Sequence, residues 1–296
     1  MRRTDSGRYG EEVFRPGESG EAERIDLGAL AYDEVSVARL TALGVGPGWH
    51  CLDVGAGTGT LARWLLESAQ VTSVLAVDRD TRFLVADHTP GLVAQTADIT
   101  APGFDPGRFH LVHARFVLMH LRSWRRLISV LGSLLVPGGV LVLSDAVDLT
   151  TADAPASPFT AVMRALWQGL RETIGTDISW VPDYPRLLLE EGLRSVAAEI
   201  HVPPLVPGSP INRFWADTWE RSRAAMLATG RVDDAQIDRA LSDLSSPRSA
   251  GLAPGMITAW GWKPPLTAGP GRESRASGDL LQNLGRQCER WLRSRP

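Results

Sequence analysis

The sequence predicts an α/β fold, a doubly wound, mostly parallel sheet with helices on both faces and a helical cap. Three observations lead there. Short apolar runs near 50–54, 74–77, 92–96, 110–113 and 140–144 alternate with helical segments, and that rhythm implies crossovers between parallel strands buried on both faces. The first run passes straight into an acid and three glycines spaced by two, Asp53-Val54-Gly55-Ala56-Gly57-Thr58-Gly59, so a strand ends in a tight turn that starts a helix. Beyond Asp145 the rhythm gives way to longer amphipathic segments rich in tryptophan.

Taken in order, residues 1–20 are rich in Gly, Glu, Arg and Ser with little to bury, and a mobile arm is expected there. The domain reading is an N-terminal arm or lid over 1–30, a core over 31–263 and a tail over 264–296. A helix is expected over 33–43, ended by Gly44. The strand at 50–54 feeds a helix over about 58–67, whose free N–H groups face whatever lies on the glycine turn. Cap insertions are expected at about 146–183 and 203–254. In the first, Phe159, Val162, Leu166, Trp167 and Leu170 recur at helical spacing, which suits a helix laid over the site. A helix over 184–191, stopped by Gly192, and a strand over 195–202 resume the core. A second amphipathic helix, 211–227 with Phe214, Trp215 and Trp219, precedes a last strand at 256–262. In the tail, Leu280, Leu284, Cys288 and Trp291 form an apolar stripe that could dock on this chain or on a second copy, as in a homodimer.

Composition narrows the function classes. The chain has 296 residues, 44% of them hydrophobic, a net charge of −3 and a pI near 6.1. That is enough for a sizeable core and argues against a nucleic-acid partner, which needs clustered basic residues. Lys263 is the only lysine, and the arginines are scattered among acids. Cys51 and Cys288 offer neither a disulfide framework nor metal-ligand spacing, so no metal is expected and a reducing, cytoplasmic setting is. No run of about 18 apolar residues is present, which leaves out a membrane span.

The glycine spacing selects the ligand class. A dinucleotide fingerprint needs its third glycine three residues after the second, and that position is Thr60. The pattern present, acid-x-Gly-x-Gly-x-Gly, resembles motif I of the class I S-adenosylmethionine-dependent methyltransferases. Three further stretches resemble that family in order. Val74-Leu75-Ala76-Val77-Asp78 reads as a strand ending in an acid about 20 residues past the glycines, where a carboxylate can accept both hydroxyls of a ribose. Gln95-Thr96-Ala97-Asp98-Ile99 is similar to the next signature. The stretches 109–121 and 135–143, the second with Pro137-Gly138-Gly139, resemble the fourth and fifth strands with their turns.

That resemblance implies a seven-stranded Rossmann-like methyltransferase fold with S-adenosyl-L-methionine as cofactor. It implies that the turn with Gly55, Ala56, Gly57 and Gly59 receives the amino-acid end of the cofactor, Asp78 the ribose, and Asp98 and Ile99 the adenine, with Asp53, Arg79, Ala114 and Arg115 as further cofactor-binding residues. Asp53 read by itself also suits a helix cap, and Asp98 the start of a loop.

Catalytic residues are less legible, because alignment of two reactants needs no dedicated base. His113 and His120 flank one turn and are candidate bases, although such histidines also serve as structural hydrogen-bonders. Arg115-Phe116-Val117-Leu118 replaces the Asn/Asp-Pro-Pro-aromatic device of enzymes that methylate planar amides. Trp180 and Tyr184 suit either an aromatic substrate lining or ordinary core packing. The expected activity is methyl transfer to an O, N or C nucleophile of a small, aromatic or apolar metabolite, of the kind seen in bacterial secondary-metabolite pathways. A nicotinamide-dependent oxidoreductase and a non-catalytic cofactor-binding or cyclase relative remain as alternatives.

Overall fold

Apolar runs buried on both faces have to pair side by side, and in the computed structural model they do. Residues 9–84, 89–151, 154–246 and 251–265 are described. Seven strands form one sheet in the order β3-β2-β1-β4-β5-β9-β6. They are β1 (His50–Val54), β2 (Ser73–Asp78), β3 (Leu92–Thr96), β4 (Phe109–Arg115), β5 (Leu135–Val147), β6 (Arg194–His201) and β9 (Gly255–Trp262). The first five pair in parallel, while β9 runs antiparallel between β5 and β6. The final pair is therefore antiparallel, with the last strand inside the sheet and β6 at its edge. Two short strands, β7 (Pro204–Leu205) and β8 (Gly251–Leu252), pair separately.

Helices α1 (Glu21–Ala42), α2 (Thr60–Glu67), α3 (Trp124–Ser133) and α5 (Tyr184–Glu190) accompany the sheet. The cap consists of α4 (Pro158–Ile174), α6 (Pro210–Ala228) and α7 (Asp234–Ser245). Each cap helix starts at a side-chain cap: Ser157, Ser209 and Asp233 accept the N–H three residues on, which satisfies an otherwise orphaned donor. At Gly169 a Cβ would stand 2.6 Å from the Ala225 carbonyl oxygen, so only glycine lets α4 and α6 lie this close. Among the described residues no helix is long and apolar enough to cross a membrane.

Several elements differ from the sequence expectation. The helix expected over 33–43 begins at Glu21, so the boundary drawn at residue 30 falls inside α1. The helix after the glycine turn starts at Thr60, not 58, because Gly59 still has φ +79°. Strand β5 extends back to Leu135 through Pro137-Gly138-Gly139, which bulges from the ladder and pairs with Lys263 through two backbone bonds of 2.9 and 2.8 Å. A Cβ at Gly139 would crowd three carbonyl oxygens at 3.0 Å. The chain divides into a unit over Met1–Pro264 and a second over Pro265–Pro296. The tail stripe with Cys288, the proposed dimer contact and residues 1–8 of the arm lie outside the described residues.

Candidate active site

The carboxyl ends of β1, β2 and β4 open into a cavity of about 800 Å³, at the place where open α/β sheets bind ligands. Its floor is the glycine turn. Gly55, Gly57 and Gly59 have φ of +68°, +56° and +79°, a region where side chains cost energy. The N–H groups of Gly55 and Ala56 both bond Val77 O, at 2.7 and 3.3 Å, which fixes the turn to β2. The missing Cβ atoms leave space along the turn. The space belongs to this chain: a Cβ on Gly55 would overlap Val117 Cγ2, on Gly57 it would meet Ile25 Cγ2 at 3.2 Å, and on Gly59 Leu84 Cδ2 at 2.5 Å. Gly55, Ala56 and Gly57 line the cavity, whereas Gly59 packs against Leu84.

Asp78 ends β2 beside this turn and lines the cavity. Its Oδ2 accepts the Gly57 N–H at 3.0 Å and its Oδ1 the Asp80 N–H at 3.1 Å. Burial pushes the Asp78 carboxyl above the usual carboxylate range, and these N–H bonds oppose the rise. A desolvated carboxylate with remaining lone pairs in a cavity is a strong acceptor for ligand hydroxyls. Asp98 and Ile99 line the same cavity, with Asp98 Oδ1 accepting the Thr100 N–H at 2.8 Å and its hydroxyl at 2.6 Å. Arg79 donates to Tyr9 O at 3.1 Å and pairs with Glu11, so it ties down the N-terminal segment. Arg115 also lines the cavity and is engaged with Asp33 at 2.6 Å and Ser36 at 3.0 Å. Ala114 is buried in the sheet and does not line the cavity.

Asp53 and His113 are cross-strand neighbours in register, and the Nδ1–H of His113 donates to Asp53 Oδ1 at 2.8 Å. Both are buried and both line the cavity, but the histidine is committed to its partner on that nitrogen. His120 also lines the cavity. Its Nδ1 lies 2.8 Å from Thr176 Oγ1, and its ring centroid is 4.3 Å from that of Tyr9. Burial, with the Arg24 charge adding to it, pushes the His120 pKa down to about 3, so the ring is neutral at physiological pH. Phe116, between the two histidines, holds φ +55°, an uncommon conformation for a bulky residue that collects at functional sites.

The segment before α1 closes one side. Arg24 donates to Glu21 at 2.9 and 2.6 Å and to the Tyr9 hydroxyl at 2.8 Å, and stands 4.2 Å over the Phe14 ring. Burial works against the Arg24 charge, and Tyr9 and Glu21 more than offset it. Thr58 of the glycine turn donates to Asp26 of α1 at 2.6 Å. Tyr9, Arg24 and Tyr32 all line the cavity, so the region read as an arm is packed over it from residue 9 onward.

The far wall comes from the cap: Leu166, Trp167 and Leu170 of α4 with Phe214, Trp215 and Thr218 of α6. Of the two alternatives for Trp180 and Tyr184, substrate lining or core packing, the structure shows packing. Trp180 stacks on Trp124 with centroids 3.9 Å apart, Tyr184 is fully buried with its hydroxyl donating to Asp145, and neither lines the cavity. Burial raises the Asp145 carboxyl to about 7, the Tyr184 hydroxyl opposing it. Aromatic content alone does not say on which side of a sheet a ring lands. The helical spacing of Leu166, Trp167 and Leu170, and the aromatic residues Phe214 and Trp215 of the second amphipathic helix, carry the usable signal.

Comparisons with known proteins agree with this geometry. The family described as "Methyltransferase domain" matches residues 31–190, more than half of the chain. Methyltransferase str3 of Strobilurus tenacellus is 27% identical over 207 residues, covering 65% of this chain and 73% of that protein. Methyltransferase pytC of Aspergillus terreus is 26% identical over 184 residues, covering 60% of this chain and 56% of its own length. Among solved structures, phosphoethanolamine N-methyltransferase 2 of Haemonchus contortus, in complex with phosphomonomethylethanolamine and S-adenosylhomocysteine, is similar with TM-score 0.53 and 16% identity over 84% of this chain and 59% of that one. YcgJ of Bacillus subtilis follows with TM-score 0.50 and 17% identity over 75% and 97%. The structural likeness is one of fold.

Proposed function

Since the chain belongs to the methyltransferase-domain family, an S-adenosyl-L-methionine-dependent methyltransferase, we propose that its acceptor is an O, N or C nucleophile of a small, aromatic or otherwise apolar metabolite, in a secondary-metabolite setting. The observation that supports this reading best is the cavity itself. It has polar acceptors at the sheet end and an apolar, aromatic wall at the cap end, as suits a polar cofactor meeting an apolar partner.

The residues fit the cofactor by their chemistry. We assign Asp78 to the ribose hydroxyls, because its buried carboxylate keeps acceptor capacity beyond its two backbone bonds. Gly55, Ala56 and Gly57, with Asp53 beside them, are assigned to the amino-acid end, near the uncapped N-terminus of α2. Asp98 and Ile99 are assigned to the adenine. Arg79 and Arg115 act indirectly, since the first holds the N-terminal segment and the second holds α1. Gly59 and Ala114 support the turn and the sheet from behind.

When bound, the cofactor supplies an activated methyl group on a sulfonium. The chain's share is alignment and exclusion of water, and oriented capture supplies roughly 7 to 11 kcal/mol of such a barrier. Tyr9, Phe14 and Arg24 form a lid on one side and the cap closes the other. His120 is held neutral against Thr176, and burial beside the Arg24 charge leaves its ring a weak proton acceptor, so we assign it to the lining and not to a base role, while His113 serves to orient Asp53.

Incubation with methyl-labelled cofactor and a panel of phenolic, indolic and polar amine acceptors tests the reading. Label should move to apolar aromatic acceptors. Exclusive transfer to a charged amine such as ethanolamine phosphate would overturn it.

A further inference from the structure

The cap helices carry three tryptophans, of which Trp167 and Trp215 line the cavity, and their indole N–H groups differ in their partners. Trp167 donates to Asp148 Oδ2 at 2.9 Å and Trp219 to Met163 Sδ at 3.3 Å. Trp215 Nε1 is buried and has no partner among the described residues. One helical turn on, Thr218 Oγ1 is also buried and unpartnered among the described residues, although threonine in a helix commonly bonds the carbonyl four residues back. The two residues are 5% and 4% exposed, lie three apart on α6 and both line the cavity. Buried indole N–H and hydroxyl groups find partners in most folded proteins, because leaving them unpaired is costly. Two such groups side by side at the wall of a cavity point to a partner that arrives with a ligand.

The surroundings define that partner. Trp215 packs edge-on to Trp167 and Phe214, with centroids 6.0 and 5.3 Å away, and Leu166 and Leu170 complete an apolar wall that suits a flat ring system. An indole N–H only donates, so the ligand atom opposite it is an acceptor. Arg24, 5.4 Å from the Phe214 ring, is neutralised by its buried pair with Glu21, so it offers no free cation for a carboxylate or phosphate.

We propose that Trp215 Nε1–H and Thr218 Oγ1–H form the polar anchor of the acceptor subsite and hold an uncharged oxygen, a carbonyl or ether, on a flat and otherwise apolar methyl acceptor. This rests on the methyl-transfer reading above and adds the residues that select its substrate. Both act as specificity-determining residues remote from the transferred group. Ser222, one turn further along α6, has an unpaired buried hydroxyl as well but does not line the cavity, which makes it an internal control.

The test uses the full chain saturated with S-adenosylhomocysteine and titrated with four naphthalenes carrying methyl, methoxy, acetyl or carboxylate at one position. Wild type should bind the acetyl and methoxy compounds about 5- to 100-fold more tightly than the methyl and carboxylate ones, the discrimination a buried donor gives when its partner is missing. Trp215→Phe and Thr218→Val should narrow that gap while melting at or above the wild-type temperature, since each removes an orphaned donor and keeps the shape. Ser222→Ala should keep the gap. The proposal is overturned if no naphthalene binds, if wild type ranks methyl with acetyl, or if Trp215→Phe and Thr218→Val lose stability yet keep the preference. Failure to bind S-adenosylhomocysteine would instead overturn the functional reading beneath it.

Discussion

Replacing Gly55 by alanine adds one methyl at the most constrained point of the cavity floor. The backbone there cannot retreat, because the N–H groups of residues 55 and 56 both bond Val77 O. At φ +68° an alanine costs roughly 1–2 kcal/mol. The new Cβ would overlap Val117 Cγ2, while Val117 Cβ and Cγ1, at 3.6 and 3.8 Å, sit at ordinary contact distance. Only one methyl is in the way, so Val117 has to change rotamer or shift, at about 1–3 kcal/mol for such overpacking. The sum is a destabilisation of about 2–5 kcal/mol for Gly55→Ala, read from urea unfolding. In the double variant Gly55→Ala/Val117→Ala the overlap disappears and the backbone cost stays, so a coupling of about 1–3 kcal/mol is expected from the double-mutant cycle. Gly55→Ala within 0.5 kcal/mol of wild type, or strict additivity with Val117→Ala, would refute this packing explanation of the turn.

Asp145 gives the fold a pH signature. Its folded pKa, about 7, lies above the 3.8 of a free carboxyl, so its proton stabilises the fold fully below about pH 4, and that contribution is lost as pH rises towards 7. Asp145→Asn keeps an acceptor for Tyr184 and stays neutral. Relative to wild type it should therefore gain up to about 4 kcal/mol between pH 4 and 7, and parallel stability curves would contradict this. Arg24→Met removes the close partner of the buried Glu21 carboxylate and leaves it, among the described residues, only Arg221, at 3.8 Å. A loss of about 3–5 kcal/mol is expected on unfolding, partly restored in Arg24→Met/Glu21→Met; equal losses in both would show that packing, not charge, governs the site.

How far the sequence led depended on how local the cause was. Strand positions and the glycine turn were legible because alternation, spacing and terminal acids lie within a few residues. The reason for Gly55 was not, since Val117 meets it only in space. Helix α7 is not among the sequence expectations although Asp233 and Gln236 form a reciprocal cap at its start, and its apolar stripe of Ile237, Ala240 and Leu244 spans only two turns. The start of α1 was missed for a related reason. Gly20 caps it without a side chain, and Gly28 interrupts its pattern to admit Phe214, whose Cε2 stands 3.3 Å from where a Cβ would be. Trp180 and Tyr184 stay open between lining and core packing in the sequence because composition cannot tell a ring in the core from one at the cavity. Trp215 and Thr218 became visible only when their unpaired atoms could be compared with the paired Trp167 and Trp219.

Calorimetric titration with S-adenosyl-L-methionine, on wild type and on Asp78→Asn, tests the cofactor site most directly. Two charge-assisted bonds from one carboxylate to ligand hydroxyls contribute roughly 1.5–3 kcal/mol each. Saturable one-to-one binding by wild type, weakened roughly 100-fold or more by Asp78→Asn, with no heat from NAD, is the expected result. No uptake at millimolar concentration, or equal affinity in the two proteins, would contradict it.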